Sequence, residues 1–396
     1  MVHAKIQAIA IEILLIFFCS KVVKYDKYKV EFKSVFLRNS ISMKSLRPLL
    51  FPLSLIYGLG VMARNLAFDL GILRSTEFDL PIISVGNLSV GGSGKSPMTE
   101  YLVRLLKSKY KLATLSRGYG RRSKGFRFVD GKSLSTEVGD EPLQFKRKFP
   151  DITVAVCENR VEGIKTLEKD HELVILDDAY QHRALRPGLS ILLFDYNSIT
   201  SFKMLLPAGD LREPVWEKHR ADILVVTKTP PGLDQPDRQE ILKLIKPRNQ
   251  QEVFYSYLEY GGLKPFNEEM KERELLSVKV TAKIVLLTGI ANPAPLLSEL
   301  GGYTQFITHH NYSDHHNFTK KNISKLVQAF NELGADDKLI ITTEKDAQRL
   351  GSVEVKELLK GLPVYYLPVR AEIHEPERAR FNELIEKYAA ESTVDH

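Results

Sequence analysis

The chain has 396 residues, of which 43% are hydrophobic and 27% are charged, and this balance excludes a disordered or fibrous protein. Two cysteines, Cys19 and Cys157, are too few for a disulfide framework or a cysteine-based zinc site, which favours a reducing compartment. The net charge of +7 favours an anionic partner, either nucleic acid or an anionic lipid surface, and composition does not choose between them.

Residues 1–42 differ in composition from the rest of the chain. The apolar run from Ile6 to Cys19 is shorter than the roughly 20 residues that a membrane span needs, and lysines follow it. It lacks the small-residue cleavage site that ends a signal peptide. We expect a non-native extension produced by an upstream start, with the functional chain beginning near Met43. The alternative is an anchor at the membrane surface.

Residues 43–75 are predicted to form an interfacial helix. Wide apolar coverage from Leu46 to Met62 is flanked by Arg47 and Arg64, which is typical of helices that lie between acyl chains and headgroups. A proline and two glycines interrupt the segment, so it does not fit a simple membrane span. The alternative is a buried packing helix at the edge of a domain.

A glycine-rich loop follows the predicted strand that begins at Ile83 and precedes a predicted helix. Its residues are Ser89, Val90, Gly91, Gly92, Ser93, Gly94, Lys95 and Ser96. In such a P-loop the backbone N–H groups surround phosphate oxygens, the lysine neutralises the outer phosphates and the serine hydroxyl ligates Mg²⁺. The consensus fails only at its first position, where Ser89 replaces glycine, so the sequence predicts a variant P-loop. The alternative is a glycine-rich turn without a phosphate.

The next predicted strand, 111–116, delivers a basic loop to its carboxyl end, where open α/β sheets bind ligands. Arg117, Tyr119 and Arg121 in this loop suit a phosphate or an acidic headgroup. The alternative is a solvated basic loop.

Two acidic pairs follow. Asp140 and Glu141 open a predicted helix, where a carboxylate can take a proton from a substrate hydroxyl, although acids also cap helices. Asp177 and Asp178 end the apolar strand 173–176, which is the Walker B arrangement that organises Mg²⁺ downstream of a P-loop. The polar segment around Gln181 and His182 comes directly after them, and the loop 206–214 carries Arg212, which can reach a phosphate.

The fold class predicted from this alternation is α/β: a mostly parallel, P-loop NTPase-like sheet with flanking helices, plus a second, smaller α/β domain. A Pro/Gly and polar stretch from Pro230 to Gln251 indicates the boundary. The predicted divisions are 1–42, 43–75, 76–230 and 231–396.

The second half contains a histidine cluster formed by His309, His310, His315 and His316. One interpretation is a metal site, since imidazoles suit zinc or nickel. A second is a catalytic histidine that reaches back to the nucleotide domain, and a third is a polar surface loop. The charged turn 344–346 receives no predicted role.

Six motifs in one order resemble the tetraacyldisaccharide 4′-kinase family of lipid A synthesis. They are Gly86–Pro97, Ser116–Tyr119, Gly139–Pro142, Asp177–His182, Leu206–Pro214 and Asp314–His316. The match in order and spacing runs from about Met43 to the C-terminus, and residues 1–42 depart from the family pattern.

The resemblance implies transfer of the ATP γ-phosphate to the 4′-hydroxyl of a lipid disaccharide 1-phosphate at the cytoplasmic face of the bacterial inner membrane. It also implies Mg²⁺, a two-stranded hinge between the two domains and a membrane-docking N-terminal helix. Beyond the lipid substrate and the inner-membrane surface, neither a nucleic acid nor an obligate protein partner is expected.

By matching motifs, Asp140 would be the base that acts on the sugar hydroxyl, and His315, or else His316, its partner from the second domain. The nucleotide would be held by the residues of the P-loop together with Arg212 and Glu213. The metal would be held by Ser96, Asp177 and Asp178, and the substrate by Asn87, Arg117, Tyr119, Arg121, Glu141, Gln181 and His182.

Two other functions compete with this one. The first is a P-loop GTPase that delivers a metal stored on the four histidines, but Thr227-Lys228 lacks the aspartate of a guanine-reading motif because Pro230 stands there. The second is a basic membrane- or nucleic-acid-binding module. Against it, Gly118–Gly125 is a single loop without clustered stacking aromatics.

Overall fold

The computed structural model describes residues 47–201, 203–267, 269–334 and 337–391, all within one unit, Ile41–His396. The predicted extension 1–42 lies outside these residues. The α-helices are α1 Phe51–Asp69, α2 Lys95–Leu106, α3 Ser135–Val138, α4 Asp140–Lys148, α5 Arg160–Leu167, α6 Gln235–Ile245, α7 Ala294–Gly301, α8 Lys320–Asn331, α9 Glu344–Arg349, α10 Val353–Leu359 and α11 Glu377–Glu391. Short 3₁₀ helices cover Arg47–Leu50, Tyr196–Ser198, Val215–Arg220 and Leu275–Ser277.

The strands form two sheets. They are β1 Ile82–Asn87, β2 Leu112–Ser116, β3 Arg127–Phe128, β4 Thr153–Val156, β5 Leu173–Asp177, β6 Leu189–Asp195, β7 Ile223–Thr227, β8 Glu252–Tyr260, β9 Lys264–Pro265, β10 Lys283–Thr288, β11 Ile307–Asn311, β12 Lys338–Thr343, β13 Val364–Leu367 and β14 Val369–Ile373. The larger sheet has nine strands in the order β14-β8-β7-β6-β1-β5-β2-β4-β3, and the smaller has five in the order β11-β10-β12-β13-β9.

The central strands of the large sheet are parallel, and only the two outermost pairs, β14–β8 and β3–β4, are antiparallel. Every residue of β1, β5 and β7 is buried, because helices cover both faces of the sheet and the sequence supplies continuous apolar runs. The small sheet repeats this arrangement, with β9 as its antiparallel edge. The predicted α/β class with two unequal sheets is confirmed.

We call the described residues within 264–367, which include the small sheet and α7–α10, the small lobe, and the other described residues the large lobe. Two strands connect them: β8 pairs with β7 of the large sheet, and β14 pairs with β8 directly after β13 of the small sheet. The chain then returns to the large lobe, where Phe381 and Ile385 of α11 join its core. The predicted division after residue 230 stays a prediction. The strands β8 and β14 are part of the large sheet, and α11 packs on the core of the large lobe.

One strand prediction is wrong, and one helix was not predicted. The sequence pattern predicts one strand over 364–369, but Pro368 separates β13 from β14 because proline has no backbone N–H to donate to a ladder. The polar stretch after Pro230, predicted only as a boundary, contains the helix α6. Asp234 caps α6 by accepting a hydrogen bond from the backbone N–H of Asp237, and Ile241 and Ile245 bury its inner face.

Helix α1 presents most of its apolar side chains to solvent. Leu53, Ile56 and Leu59 are 53%, 67% and 63% exposed. Within the described part of the chain, Arg47–Asp69 is the one helical stretch that could cross a membrane on length and composition alone. The opposite face of α1 is held to the large lobe, because the Ser54 hydroxyl donates to the carbonyl of Leu205 at 3.0 Å.

Candidate active site

The P-loop connects β1 to α2 at the carboxyl edge of the large sheet. Gly91 and Gly94 have φ angles of 100° and 84°, in the left-handed region that glycine adopts without strain. This backbone lets the chain turn sharply before Lys95 begins α2. The Lys95 ammonium donates to the side-chain oxygen of Asn87 at 3.3 Å and lies 3.7 Å from a carboxylate oxygen of Asp178.

The P-loop is also supported by residues to which the sequence analysis assigned no site role. The Lys228 ammonium donates to the carbonyl of Gly92 and pairs with Asp195 at 2.6 Å. The Thr227 hydroxyl donates to the carbonyl of Ser93 at 2.8 Å. Their position could have identified them from the sequence: Thr227 ends β7 and Lys228 follows it, and polar residues at the ends of parallel strands gather at the same edge of the sheet.

The acidic pair after β5 lies beside the P-loop lysine. Asp177 is buried and accepts a hydrogen bond from the Thr99 hydroxyl at 3.4 Å. Burial, followed by the charges of Glu141 and Asp178, raises the pKa of Asp177 to about 7. Asp178 faces Arg212 instead, whose Nη1 donates to both carboxylate oxygens at 2.8 and 3.0 Å. The structure therefore brings together the P-loop, the predicted Walker B pair and the arginine of the 206–214 loop.

Asp140 opens α4 and faces the small lobe. Its Oδ2 lies 3.3 Å from Nδ1 of His315 and accepts a hydrogen bond from Nε of Arg349 at 2.7 Å. Burial raises the pKa of Asp140, but His315 and Arg349 lower it by more and hold it at about 2. The predicted pairing of Asp140 with a histidine of the second half is thus present in the geometry, and Arg349 is an additional partner.

Glu141, the next residue, forms a second contact between the lobes. Its carboxylate pairs with the ammonium of Lys345 at 2.8 Å. Burial raises its pKa, but Lys345 and, more weakly, Lys95 outweigh burial, and the net shift is downward. The charged form of Glu141 is therefore stabilised by lysines of both lobes.

The four histidines of the cluster have separate environments. His316 stacks on Tyr312 with ring centroids 4.6 Å apart, and its Nε2 lies 3.1 Å from the side-chain oxygen of Asn322. His309 contacts the Thr288 hydroxyl at 2.8 Å through its own Nε2. Among the described residues, no group of three or more His, Cys, Asp or Glu side chains is arranged to hold a metal. The geometry favours His315 over His316 as the partner of Asp140.

The basic loop after β2 divides into two parts. Arg117 and Tyr119 are exposed, and the Tyr119 ring lies 5.2 Å from the His315 ring, centroid to centroid. The guanidinium of Arg121 is buried and pairs with Glu158 at 2.7 Å, so its contacts hold the loop together. Arg121 is therefore less available to a ligand than the sequence analysis expects.

Gln181 and His182 follow the acidic pair of β5 in the chain. The Gln181 amide donates to the carbonyl of Asn87 at 2.8 Å. Nε2 of His182 is buried without a hydrogen-bond partner. Burial, followed by the charges of Arg160 and Arg117, lowers the pKa of His182 to about 4. A neutral imidazole with an unsatisfied ring nitrogen, next to cationic residues, suits an incoming polar ligand.

Glu213 has a different environment from the one predicted for a nucleotide contact. Its carboxylate is 1% exposed and pairs with Arg64 of α1 at 2.6 Å and with Arg220. The adjacent carbonyl of Arg212 accepts a hydrogen bond from the Tyr57 hydroxyl at 2.8 Å. These contacts attach α1 to the loop that carries Arg212.

An open cleft of about 830 Å³ lies between the end of β7 and the small lobe. Lys228, Tyr260 and Tyr303 are among the residues that line it. Because Lys228 also contacts the P-loop, this cleft continues from the phosphate-binding edge of the large sheet.

The chain is similar to known proteins over most of its length. A family model described as tetraacyldisaccharide-1-P 4′-kinase matches residues 46–389. A tetraacyldisaccharide 4′-kinase of Bacteroides thetaiotaomicron is 45% identical over 87% of this chain and 93% of that protein. One of Parabacteroides distasonis is 43% identical over 88% and 96%. A crystal structure of LpxK from Aquifex aeolicus in complex with ATP has a TM-score of 0.65 and 30% identity, and the match covers 87% of this chain and 99% of that one.

Proposed function

The chain belongs to the tetraacyldisaccharide-1-P 4′-kinase family, and from this premise we propose that it transfers the γ-phosphate of ATP to the 4′-hydroxyl of a tetraacyldisaccharide 1-phosphate in lipid A biosynthesis. The observation that carries the proposal is the arrangement of Lys95, Asp178 and Arg212 at one edge of the sheet, together with the electrostatic interaction between Lys95 and Glu141, the neighbour of Asp140. Phosphoryl transfer requires positioning and charge neutralisation more than covalent chemistry, and these residues supply both.

The P-loop backbone would hold the β- and γ-phosphates, with Lys95 neutralising their outer oxygens. Arg212 pairs with Asp178 and would turn to the transferring phosphate when the nucleotide supplies a competing negative charge. The adenosine would lie in the cleft beside Lys228, where tyrosine rings offer surfaces for stacking. The solved ATP complex of the Aquifex aeolicus relative supports ATP as the nucleotide.

The residues present fit a magnesium ion. Asp177 is a buried carboxylate with a raised pKa and two carboxylate neighbours, so a hard dication would relieve its electrostatic cost. Magnesium in kinases uses one or two carboxylates together with phosphates and water, and so does not need a cage of three protein carboxylates. Ser96, Asp177 and Asp178 would hold the ion, which would neutralise charge that develops on the phosphates.

Asp140 would receive the proton of the 4′-hydroxyl, and His315 would orient its carboxylate. A carboxylate whose pKa is about 2 is a weak base, which suits a loose transition state in which the proton leaves late. Arg117, Tyr119 and the unsatisfied His182 would contact the phosphorylated disaccharide. These roles match what the family resemblance implies for the same positions.

The exposed apolar face of α1 supports association with the inner membrane, where the acyl chains of the substrate reside. The cytoplasmic face is proposed because ATP is available there and the composition favours a reducing compartment. The substrate would then enter from the side of α1, with its headgroup at the edge of the sheet.

Transfer of radiolabelled phosphate from ATP tests the proposal directly. The purified full-length chain should label the tetraacyldisaccharide 1-phosphate but should give negligible phosphate release with water alone. Labelling that is equal with and without the lipid, or phosphate release that depends on guanine nucleotide and a transition metal, would instead support the GTPase alternative.

A further inference from the structure

Helix α9 of the small lobe places two cations against the residues proposed for proton transfer. Nε of Arg349 donates to Asp140 Oδ2 at 2.7 Å, and the Lys345 ammonium lies 3.3 Å from Nε2 of His315. Lys345 also bridges to Glu141 at 2.8 Å. The sequence analysis assigned no role to this turn, and the proposed function does not use it.

The contacts of α9 fix both cations in place. The Thr343 hydroxyl accepts a hydrogen bond from the backbone N–H of Asp346, which starts the helix. The buried Asp346 carboxylate accepts hydrogen bonds from the backbone N–H of Gly289 at 3.0 Å and from Nη1 of Arg349 at 2.7 Å. The Arg349 side chain is 2% exposed. A buried arginine with this set of acceptors has little freedom to leave Asp140.

The two cations compete for one imidazole. Nη2 of Arg349 lies 3.1 Å from Nδ1 of His315, and Nζ of Lys345 lies 3.3 Å from Nε2. Ammonium and guanidinium groups only donate hydrogen bonds, and a neutral imidazole has one accepting nitrogen. The ring can therefore accept from only one of them, and the other nitrogen carries the proton.

The remaining contacts decide between the two tautomers. Arg349 donates to Asp140, Asp346 and the carbonyl of Gly289 through Nε and Nη1, and its Nη2 faces Nδ1 of His315. Nδ1 therefore lies between this donor and an acceptor, Asp140 Oδ2, at 3.3 Å, so a proton on Nδ1 has an acceptor within reach. If Nε2 were protonated, its N–H would oppose the Lys345 ammonium, and the Asp314 carboxylate beside it lies 3.9 Å away, beyond hydrogen-bond distance.

We propose that Lys345 is a positioning residue of the phosphoryl transfer: it donates to Nε2 of His315 and thereby fixes the tautomer whose Nδ1–H holds the Asp140 carboxylate. Arg349 secures the same carboxylate from its other side. This inference rests on the proposed role of Asp140. It adds that the small lobe contributes a lysine, and not only a histidine, to the arrangement.

The residues around Asp140 and His315 favour this role for Lys345. Asp140 faces His315 and Arg349 from the small lobe, and Glu141 and Lys345 form the adjacent pair. Elsewhere on α9, Glu344 pairs with Lys148 of α4 at 2.9 Å and accepts from the Gln144 amide at 3.2 Å. The contact between α4 and α9 therefore holds Lys345 and Arg349 beside Glu141 and Asp140.

Chemical rescue tests the proposal in the full-length chain. Lys345→Ala should lower kcat about tenfold to a hundredfold, which is less than the roughly hundredfold or greater loss expected for the group that takes the proton, because Lys345 acts through His315. KM for ATP should change less than about threefold. Added methylammonium should restore part of kcat, whereas tetramethylammonium, which has no N–H donor, should not. Lys356→Ala, at an exposed position on α10, is the matched control and should behave like the wild type.

The tautomer is measured independently by long-range ¹H–¹⁵N correlation spectra of the wild-type chain, with the His315 signals identified by their loss in His315→Gln. We expect a protonated Nδ1 and a non-protonated Nε2. A protonated Nε2 in the wild type, or wild-type kcat in Lys345→Ala, would overturn the inference.

Asp140→Asn distinguishes an error in the role of Lys345 from an error in the role of Asp140. If it is inactive while Lys345→Ala is unimpaired, only the role of Lys345 is wrong. If it retains wild-type kcat, the proposed role of Asp140 is itself wrong.

Discussion

At the scale of single residues, the site consists of charges whose partners come from distant parts of the sequence. Asp178 and Lys95 belong to motifs that can be recognised locally, and the sequence analysis placed both. The contact between Arg349 and Asp140 joins residues 209 positions apart that follow strands of different sheets. No local pattern records such a pair, because it depends on how the two lobes pack.

Lys95→Ala should lower kcat at least a hundredfold, because one charge-neutralising donor is lost where negative charge accumulates in the transition state. The fold should persist, because the Lys95 ammonium makes only polar contacts with Asn87 and Asp178 and does not pack in the hydrophobic core. Kinase assays and circular dichroism check both statements, with Lys165→Ala, at an exposed position on α5, as the control. Full activity in Lys95→Ala would remove the P-loop lysine from the mechanism.

At the scale of elements, continuous apolar runs bounded by turn residues made most strands of the large sheet predictable. The strand that ends in Asp177 was found because an apolar run is followed at once by two acids. Helix α6 was missed because its exposed face is rich in charged and amide side chains and few apolar residues mark its inner face. The break between β13 and β14 was missed although Pro368 marks it, because the apolar pattern continues across the proline.

Glu100, where α2, α4 and α9 meet, makes a contribution to the free energy of unfolding that depends on pH. Burial raises the pKa of Glu100 on α2 from 4.5 to about 7, despite its pair with Lys148 at 2.6 Å. A raised pKa means that the folded state binds a proton more tightly than the unfolded chain does. This contribution is complete below pH 4.5 and is lost as the pH rises through about 7, at no more than about 1.4 kcal/mol per pH unit.

Glu100→Gln removes the titrating group and keeps its shape. The difference in unfolding free energy, variant minus wild type, should therefore increase between pH 4.5 and 7 and stay level above that range. Denaturant titrations at several pH values measure it. A difference that is constant with pH would show that folding does not shift the pKa of Glu100.

At the scale of the whole molecule, α1 supplies an apolar surface that the rest of the large lobe anchors through Arg64 and Glu213. Replacing Ile56, which is 67% exposed, with glutamate should weaken binding to phosphatidylglycerol vesicles and leave the unfolding midpoint nearly unchanged. Leu276→Glu alters another exposed leucine, 87% exposed and in the small lobe, and should not affect vesicle binding. Vesicle co-sedimentation distinguishes the two, and equal binding by both variants and the wild type would rule out α1 as the docking surface.

Two lobes meet at the proposed site: the large lobe supplies Lys95 and Asp140, and the small lobe supplies His315 and Arg349. The most direct measurement of this account compares kcat with ATP affinity in Asp140→Asn. We predict that kcat for the lipid disaccharide falls at least a hundredfold while the dissociation constant of ATP changes less than threefold, because Asp140 serves the acceptor hydroxyl. An unchanged kcat, or a loss confined to ATP binding, would contradict it.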